Sequence, residues 1–559
     1  MRHGNHLTKA TAAAVAALLL FYWTLPDNPV EIVSATSAEN QYRGVFHVHS
    51  VESDGGGTVE EIAAAARAAN LDFVILTDHG DGTNSLPPRY IDEILIINGV
   101  EISTETGHYI AVGMPLAPYP LGGDAKGVVE DVQRLGGFGI IAHPYSPREE
   151  LRWKDFTLPV DAIEWINGDS QWRGAGIASV LSSSLHYWFR PVGSLNALLY
   201  RPTDALNMWD AVASNRPVVA LPGLDAHARL ATGNGDEGYA GGFLFRFPWY
   251  EDLFRVFGLR VNLDSAQTND AVSDARNVIS SIQSGRFYSS VESLATPPDF
   301  TFLGTLADGT VVEMGDRIPS DQDLRLSAKV SGPTSGTVRL LQNGTTIAES
   351  TELELSYSVS GSDATAVYRV EVYLSGSYAN GDVPWVVSNP IFVGGRETES
   401  SLSAPTRGGY ELNPSGWHVE QHTDAQVALD INNDILTLAY TLGNSTATYA
   451  AIGYDVVPER IAPEMSIDFV VRASKPMRVS AQLRRGAGED SRWRHSFYAD
   501  QRVRRIRLPV RDFSAVGALD RAGESMSGID GLLFVADTVN YERNSSGELQ
   551  ISELRINEG

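Results

Sequence analysis

From Tyr42 to about Val291 short apolar runs alternate with helical patterns, and this alternation restricts the fold more than any other feature of the chain. Val45 to Val48 reads as a strand. Thr58-Val59-Glu60-Glu61 has the spacing of a capping box and opens an Ala-rich helix through Asn70. Strand-like runs follow at 73–77, 95–97, 109–112, 139–142, 162–166 and 218–221. Helical patterns lie over 128–135 and 203–214, and a Trp-containing helical insertion spans Trp172 to Trp188. Repeated βα units of this kind imply parallel strands joined by helical crossovers. After about Ser293 the pattern changes to strands only. The runs 324–330, 337–341, 346–348, 367–374 and 385–387, with an Asn343-Gly344 turn, predict a small Ig-like β-sandwich ending near Val393. Beyond a polar stretch from Gly394 to Gly409, alternating runs from 435 to 556 predict a second, larger sandwich.

The polar residues that interrupt the first half carry the chemistry. In Phe46-His47-Val48-His49-Ser50 two histidines one residue apart on a strand share a face, and the Ser53-Asp54-Gly55-Gly56 loop offers a carboxylate beside them. Thr77-Asp78-His79, Gly99-Val100-Glu101, Gly107-His108-Tyr109, Ala142-His143-Pro144 and Asp225-Ala226-His227 follow, most of them just after a strand-like run. Of the 12 histidines, seven lie between His47 and His227, and six of those occupy these motifs. Singly, His108 could be an ordinary strand histidine, and Glu101 or Asp225 a helix cap. Jointly they point to metal, because gathering nine polar groups at strand ends for packing alone is costly.

This ordered set resembles the metal-binding signature of the polymerase and histidinol phosphatase (PHP) superfamily of metal-dependent phosphoesterases. The resemblance implies a distorted TIM-like (β/α)7 barrel, with the ligands at the carboxyl ends of the strands. It also implies three adjacent divalent ions: one held by His47, His49, Glu101 and Asp225, a second by Glu101, His108 and His143, and a third by Asp54, His79 and His227. Glu101 would bridge two ions, and Asp54 stands where some members of the superfamily carry histidine. The implied activity is hydrolysis of a small-molecule phosphate ester by a hydroxide shared between two ions, with Glu101 and Asp225 at the reaction centre. A branch of the superfamily hydrolyses carbamate or amide bonds on the same site, and a non-catalytic binding protein is a third reading. Histidine and carboxylate donors suit Zn, Mn or Fe alike.

Asp78 reads as an orienter of an imidazole or as a helix cap. Arg148 reads as a phosphate clamp or as a surface arginine. His186 reads as a proton donor or as a packing residue in its aromatic-rich helix. No Gly-rich phosphate loop with a following Lys is present, and no Gly-x-Ser-x-Gly elbow lies in the first half. The chain has no cysteine, which excludes disulfides and thiolate metal sites. A net charge of −26 opposes general nucleic-acid binding, and the arginines from Arg502 to Arg511 read as the solvated face of a strand.

Arg2 and Lys9 precede an uncharged run from Ala10 to Leu25, the layout of an export signal or of an N-terminal membrane anchor, with small residues suited to cleavage at Ala35, Ser37 and Ala38. The protein is therefore expected to be exported, periplasmic or extracellular, either secreted or tethered. The expected organisation is a signal or anchor over 1–40, a metallohydrolase barrel over 41–293, an Ig-like sandwich over 294–395, a linker over 396–409 and a jelly-roll-like domain over 410–559. The last, with Phe534-Val535-Ala536-Asp537 and Gly547-Glu548-Leu549-Gln550-Ile551, resembles carbohydrate-binding modules, which implies a glycan contact.

Overall fold

Seven strands organise the first half: β1 (Gln41–Val48), β2 (Phe73–Leu76), β3 (Ile94–Thr104), β4 (Gly107–Val112), β5 (Phe138–Ile141), β6 (Ala162–Asn167) and β7 (Val219–Gly223). They hydrogen-bond in chain order. In the computed structural model, which describes residues 3–31, 40–232, 242–296, 299–332, 335–362, 364–376, 379–394, 409–457, 461–486, 492–516 and 526–558, the chain is mixed α/β with an all-β C-terminal part. β1, β2 and β3 are parallel, as are β5, β6 and β7. β4 is antiparallel to both of its neighbours, which corrects the expectation of parallel strands throughout. Only Glu105 and Thr106 separate β3 from β4, too few residues for a crossover, so the chain turns straight back. Past β7 the backbone returns to β1: Leu224 N donates to Phe46 O at 2.9 Å, and Ala226 N to His47 O at 3.1 Å.

Alternation along the strands separates two apolar layers. Val45, Val74 and Ile96 pack with Ile62, Val129 and Leu206 of the helices α2 (Val59–Ala68), α3 (Ala125–Arg134) and α7 (Thr203–Ala213). Phe46, Ile75, Ile97 and Leu221 pack on the opposite face, where they meet Ala275, Val278 and Ile282 of α8 (Ala271–Gln283). The capping box forms as the sequence predicts. Thr58 Oγ1 accepts from Glu61 N, and Glu61 Oε2 accepts from Thr58 N at 2.9 Å, a cap worth about 1 kcal/mol. The insertion between β6 and α7 folds as three short helices, α4 (Gly168–Gly174), α5 (Ile177–His186) and α6 (Pro191–Asn196).

The sheet continues past residue 293. β8 (Gly258–Asn262) pairs with β1, and β9 (Phe287–Ser290) pairs with β8. β11 (Val386–Ser388) then joins β9, and β10 (Ala366–Leu374) joins β11. Backbone pairing and a shared apolar cluster therefore bind the middle β region to the α/β part. That cluster includes Trp209 and Ile163 of the α/β part together with Val338 and Val372 of the middle β region. The C-terminal region forms two six-stranded antiparallel sheets around a core of its own that includes Trp417, Phe469, Phe497 and Phe534. Among the described residues from 300 to 550 the only helices are short 3-10 turns. Arg504, Arg505 and Arg507 pair with Asp500, Glu553 and Asp468 across the sheet surface.

The N-terminal run forms α1 (His3–Trp23), and Val30–Glu31 pairs with Ala295–Thr296. No helix among the described residues is long and apolar enough to cross a membrane. The cleavage candidates Ala35, Ser37 and Ala38, and residues 396–408 of the expected linker, lie outside the described residues.

Candidate metal centre

All nine ligand candidates come together at the carboxyl ends of the strands. Simple alternation does not do this alone. The pairing of β1 with β2 jumps from Phe46 to Val48, and His47 takes a φ of 65°. The bulge turns the imidazole so that His47 and His49 both place Nε2 3.4 Å from Asp225 Oδ1. His143, two residues past β5, and Asp225, two residues past β7, also have positive φ, 29° and 51°. Non-glycine residues rarely adopt this region, and each instance costs roughly 1–3 kcal/mol.

Glu101 lies at the centre and is only 1% exposed. Its Oε1 faces His108 Nδ1 at 2.8 Å and His143 Nε2 at 3.0 Å. Its Oε2 faces His47 Nε2 and His49 Nε2, both at 3.3 Å, and His79 Nδ1 at 3.4 Å. The two oxygens thus divide the imidazoles into two sets, one to each side.

Asp54 enters from the loop after β1. Its Oδ2 is 3.1 Å from His227 Nε2 and 3.8 Å from His79 Nε2, and its Oδ1 is 3.4 Å from His49 Nδ1. Asp78 secures that loop by accepting from Ser50 N and Ser50 Oγ at 2.7 Å and from Ser53 Oγ at 2.5 Å. It therefore acts on the loop, and reaches an imidazole only through Ser53, whose Oγ is 3.4 Å from His49 Nδ1. Gly55 allows the tight path, since a Cβ there would stand 2.2 Å from His49 O. Tyr250 ties the two halves together by donating to His49 O at 2.6 Å and His227 O at 3.1 Å.

Three groups of donor atoms lie within 4.8 Å of one another: His47, His49 and Asp225; His79, Glu101 and His108; and His49, Asp54, His79 and His227. The groups overlap, with His49 and His79 each in two, and His143 joins through Glu101 Oε1. Electrostatics fits a cation. Burial would raise the carboxyl of Glu101, but His47, His79 and His108 hold it well below the usual range, and His47 and His49 do the same for Asp225. Burial lowers His79 to about 4, whereas Asp54 carries His227 against its burial up to about 10. His49 Nε2 and His79 Nδ1 are buried without a hydrogen-bond partner while aimed at Glu101 Oε2. Buried orphans beside ionised carboxylates are costly, and divalent ions bound by these donors would satisfy both. The residues fit the metals that the sequence implies.

Two contributors escape the motif reading. Glu164, fully buried in β6, accepts from His47 Nδ1 at 2.6 Å and from His143 N at 2.6 Å, so one carboxylate fixes the ring of one ligand and the backbone of another. That leaves His47 Nε2 facing the cluster as the atom that could bind an ion. A lone Glu inside the apolar run Ala162-Ile163-Glu164-Trp165-Ile166 was the available signal. Arg229, two residues after His227, donates to Asp54 O at 3.2 Å and brings a guanidinium beside the third group. Arg148 bonds Glu150 at 2.8 Å at the protein surface. His186 lies in α5, 3.3 Å from Thr24 Oγ1 and against the ring of Phe21, and none of its described contacts is to the nine ligands. A cavity of about 210 Å³ adjoins the cluster, bounded by His143, Tyr145, Glu164, Asn167, Tyr200 and Arg201.

No protein-family model matches the chain. Among solved structures, a family 11 carbohydrate-binding module from Clostridium thermocellum, in complex with a β-1,3-1,4-mixed-linked tetrasaccharide, is 18% identical and aligns over 28% of this chain and 98% of its own, with a TM-score of 0.23. A family 30 carbohydrate-binding module of a C. thermocellum cellulosomal cellulase is 9% identical over 27% of this chain and 95% of its own, with a TM-score of 0.20. An uncharacterized protein of Methanocaldococcus jannaschii is 30% identical over 139 residues, which cover 22% of this chain and 80% of the relative. Over that stretch the chain belongs to the same family as this uncharacterized archaeal protein.

Proposed function

We propose that the chain is a metal-dependent hydrolase of the PHP superfamily, exported from the cytoplasm, that cleaves a phosphate ester. On this reading the seven strands, joined from Leu224 and Ala226 back to β1, form the distorted barrel of that superfamily, and the nine ligands line its carboxyl-end mouth. The observation that carries the proposal is Glu101, whose oxygens face His108 and His143 on one side and His47, His49 and His79 on the other. Divalent cations, when bound, lower the pKa of water towards neutrality and offset charge on phosphoryl oxygens. The chain's own part is to hold these donors rigidly. Glu101 offers one oxygen to each side, Glu164 fixes His47, and the Ser50–Ser53 loop, braced on Asp78, brings in Asp54. Arg229, at Asp54, is placed to meet an anionic ester on the side of His227.

One observation favours the second reading, hydrolysis of a carbamate, carboxylic ester or amide. Arg201, the only arginine or lysine among the residues that bound the adjoining cavity, is paired through both terminal nitrogens with Glu371 at 2.8 and 2.9 Å. That cavity therefore favours a neutral acyl group. The deciding experiment measures metal content by elemental analysis, then turnover of p-nitrophenyl phosphate, p-nitrophenyl acetate and an aryl carbamate after reconstitution with Zn, Mn or Fe. The proposal expects two or three equivalents of metal and phosphate turnover that a chelator abolishes. Carbamate or acetate turnover without phosphate turnover would replace it with the second reading, and metal-free protein would end both.

A further inference from the structure

Gly174 to Phe189 contains no charged residue and is bracketed by Arg173 and Arg190. Its centre is α5, and this helix turns its apolar side chains to solvent. Ile177 is 81% exposed, Leu181 67% and Leu185 59%, and their four-residue spacing puts them on one face. The buried side of α5 has only Ser183 and His186. Trp188 and Phe189 extend the exposed face, and Trp249 adjoins Trp188 with ring centroids 6.1 Å apart. Single exposed apolar residues are ordinary on a soluble protein, but a contiguous face of aliphatic and aromatic side chains marks an interaction surface.

The neighbour of this face says what covers it. The exposed leucines of α1, Leu18, Leu19 and Leu20, lead to Tyr22 and Trp23, and α1 ends against α5. Phe21 packs on His186 and on Phe189, each with centroids 5.2 Å apart, and Thr24 Oγ1 meets His186 Nε2. The end of the uncharged run is thus fastened to α5 through Phe21 and Thr24, and the surroundings that this end of α1 enters are shared by α5. Aliphatic side chains edged by Trp and Tyr, with arginines at both ends of the apolar segment, match the layering of a bilayer interface.

We infer that the α5 face, with Trp188 and Trp249, docks in the interfacial layer of a lipid bilayer beside α1 and forms a second membrane contact independent of any spanning segment. α4 starts directly after Asn167, which donates to Glu164 at 2.9 Å, so the insertion that carries α5 leaves the sheet at the ligand-bearing end of β6.

The absence of cysteine makes the test site-specific. Full-length Leu181→Cys carrying an environment-sensitive fluorophore is mixed with vesicles of phosphatidylcholine, alone or with phosphatidylglycerol. Val503→Cys, at an exposed position in the C-terminal region, is the control. The inference expects a blue shift and a several-fold rise in emission at position 181, quenched by lipid-borne quenchers, with position 503 unchanged. Leu181→Asp combined with Leu185→Asp should weaken vesicle partitioning about tenfold. A silent probe at 181 on vesicles that the chain does bind would assign the contact to α1 alone and overturn the inference. So would failure of the chain to bind vesicles, or a lipid-independent change at 181 that grows with protein concentration and marks a second copy as the occupant.

Discussion

Among the buried charge clusters of the described residues, the one around Arg369 and the one around Glu101 are completed differently. Arg369, 1% exposed, donates to both oxygens of Asp210 at 2.7 Å and to Glu371 Oε1 at 2.7 Å, and Arg201 supplies the remaining oxygen of Glu371. Every charge there has a protein partner of opposite sign. Around Glu101, two buried carboxylates and the half-buried Asp54 face six imidazoles, three of which keep a buried nitrogen without a hydrogen-bond partner, and three of the nine residues hold strained backbone. The closed cluster fastens β10 to α7. The open one gathers imidazole and carboxylate donors close enough to hold a divalent cation, and this distinguishes a candidate site from a clamp.

The strongest way to break the contrast is Glu101→Gln. It removes one charge and the symmetric oxygen pair, so turnover should fall on the order of 10² to 10⁴, with loss of metal from both sets of imidazoles. His227→Ala should empty only the group that includes Asp54 and retain part of the activity. Elemental analysis beside kinetics reads both variants. Full metal occupancy with near-normal turnover in Glu101→Gln would remove the bridge and the reaction centre with it.

Arg369→Ala tests the closed cluster. It strands Asp210 and Glu371 in the interior, and loss of one member of a buried pair costs about 3–5 kcal/mol, so the denaturation midpoint should drop while metal content at the surviving folded fraction is unchanged. Loss of metal in a folded Arg369→Ala protein would show that the two clusters are one.

Acid offers a gentler probe. Burial would raise Glu371, but Arg369 and Arg201 bring it down to about 2 from an ordinary 4.5. A depressed carboxyl stabilises the fold fully above its unfolded value and loses that contribution as pH falls through its folded value. Roughly 3 kcal/mol of stability should therefore disappear between about pH 4.5 and pH 2. In Glu371→Gln that part of the acid-induced loss should be absent, measured by chemical denaturation across the range.

The open cluster was far more legible in the sequence than the closed one. Its nine candidate ligands stand out because each lies in, after or close to a strand-like run or a loop glycine, and metal chemistry admits few residue types. Arg369 and Asp210 are separated by 159 positions, and Arg478, which docks the C-terminal region on Asp131 at 2.7 Å, is 347 positions from its partner. No local pattern encodes a contact of that reach, and an arginine on an alternating strand reads as solvated. The reversal of β4 was missed, because the alternation of strand and helix patterns suggested crossovers throughout, although only Glu105 and Thr106 separate β3 from β4. The bulge at His47 was missed too, because alternation alone already accounts for two histidines on one face.

The smallest expected effect belongs to Glu164, and it sharpens the contrast most finely, because this residue is a clamp that serves the site. It touches no reacting atom, but its Oε1 accepts from His47 Nδ1 and its Oε2 from His143 N and from Asn167 Nδ2. Glu164→Gln keeps the volume and removes the charge that fixes the His47 tautomer. Losses of this kind are typically 10- to 100-fold in metal affinity or activity. A purely structural role would lower the midpoint of unfolding and leave affinity per folded molecule untouched. Titration of the metal-free variant with Zn or Mn separates the two. Weakened affinity at an unchanged midpoint, with Glu164→Asp recovering part of it, is the expected result. Unchanged affinity would place Glu164 with Arg369, as a residue that holds the fold and not the metal.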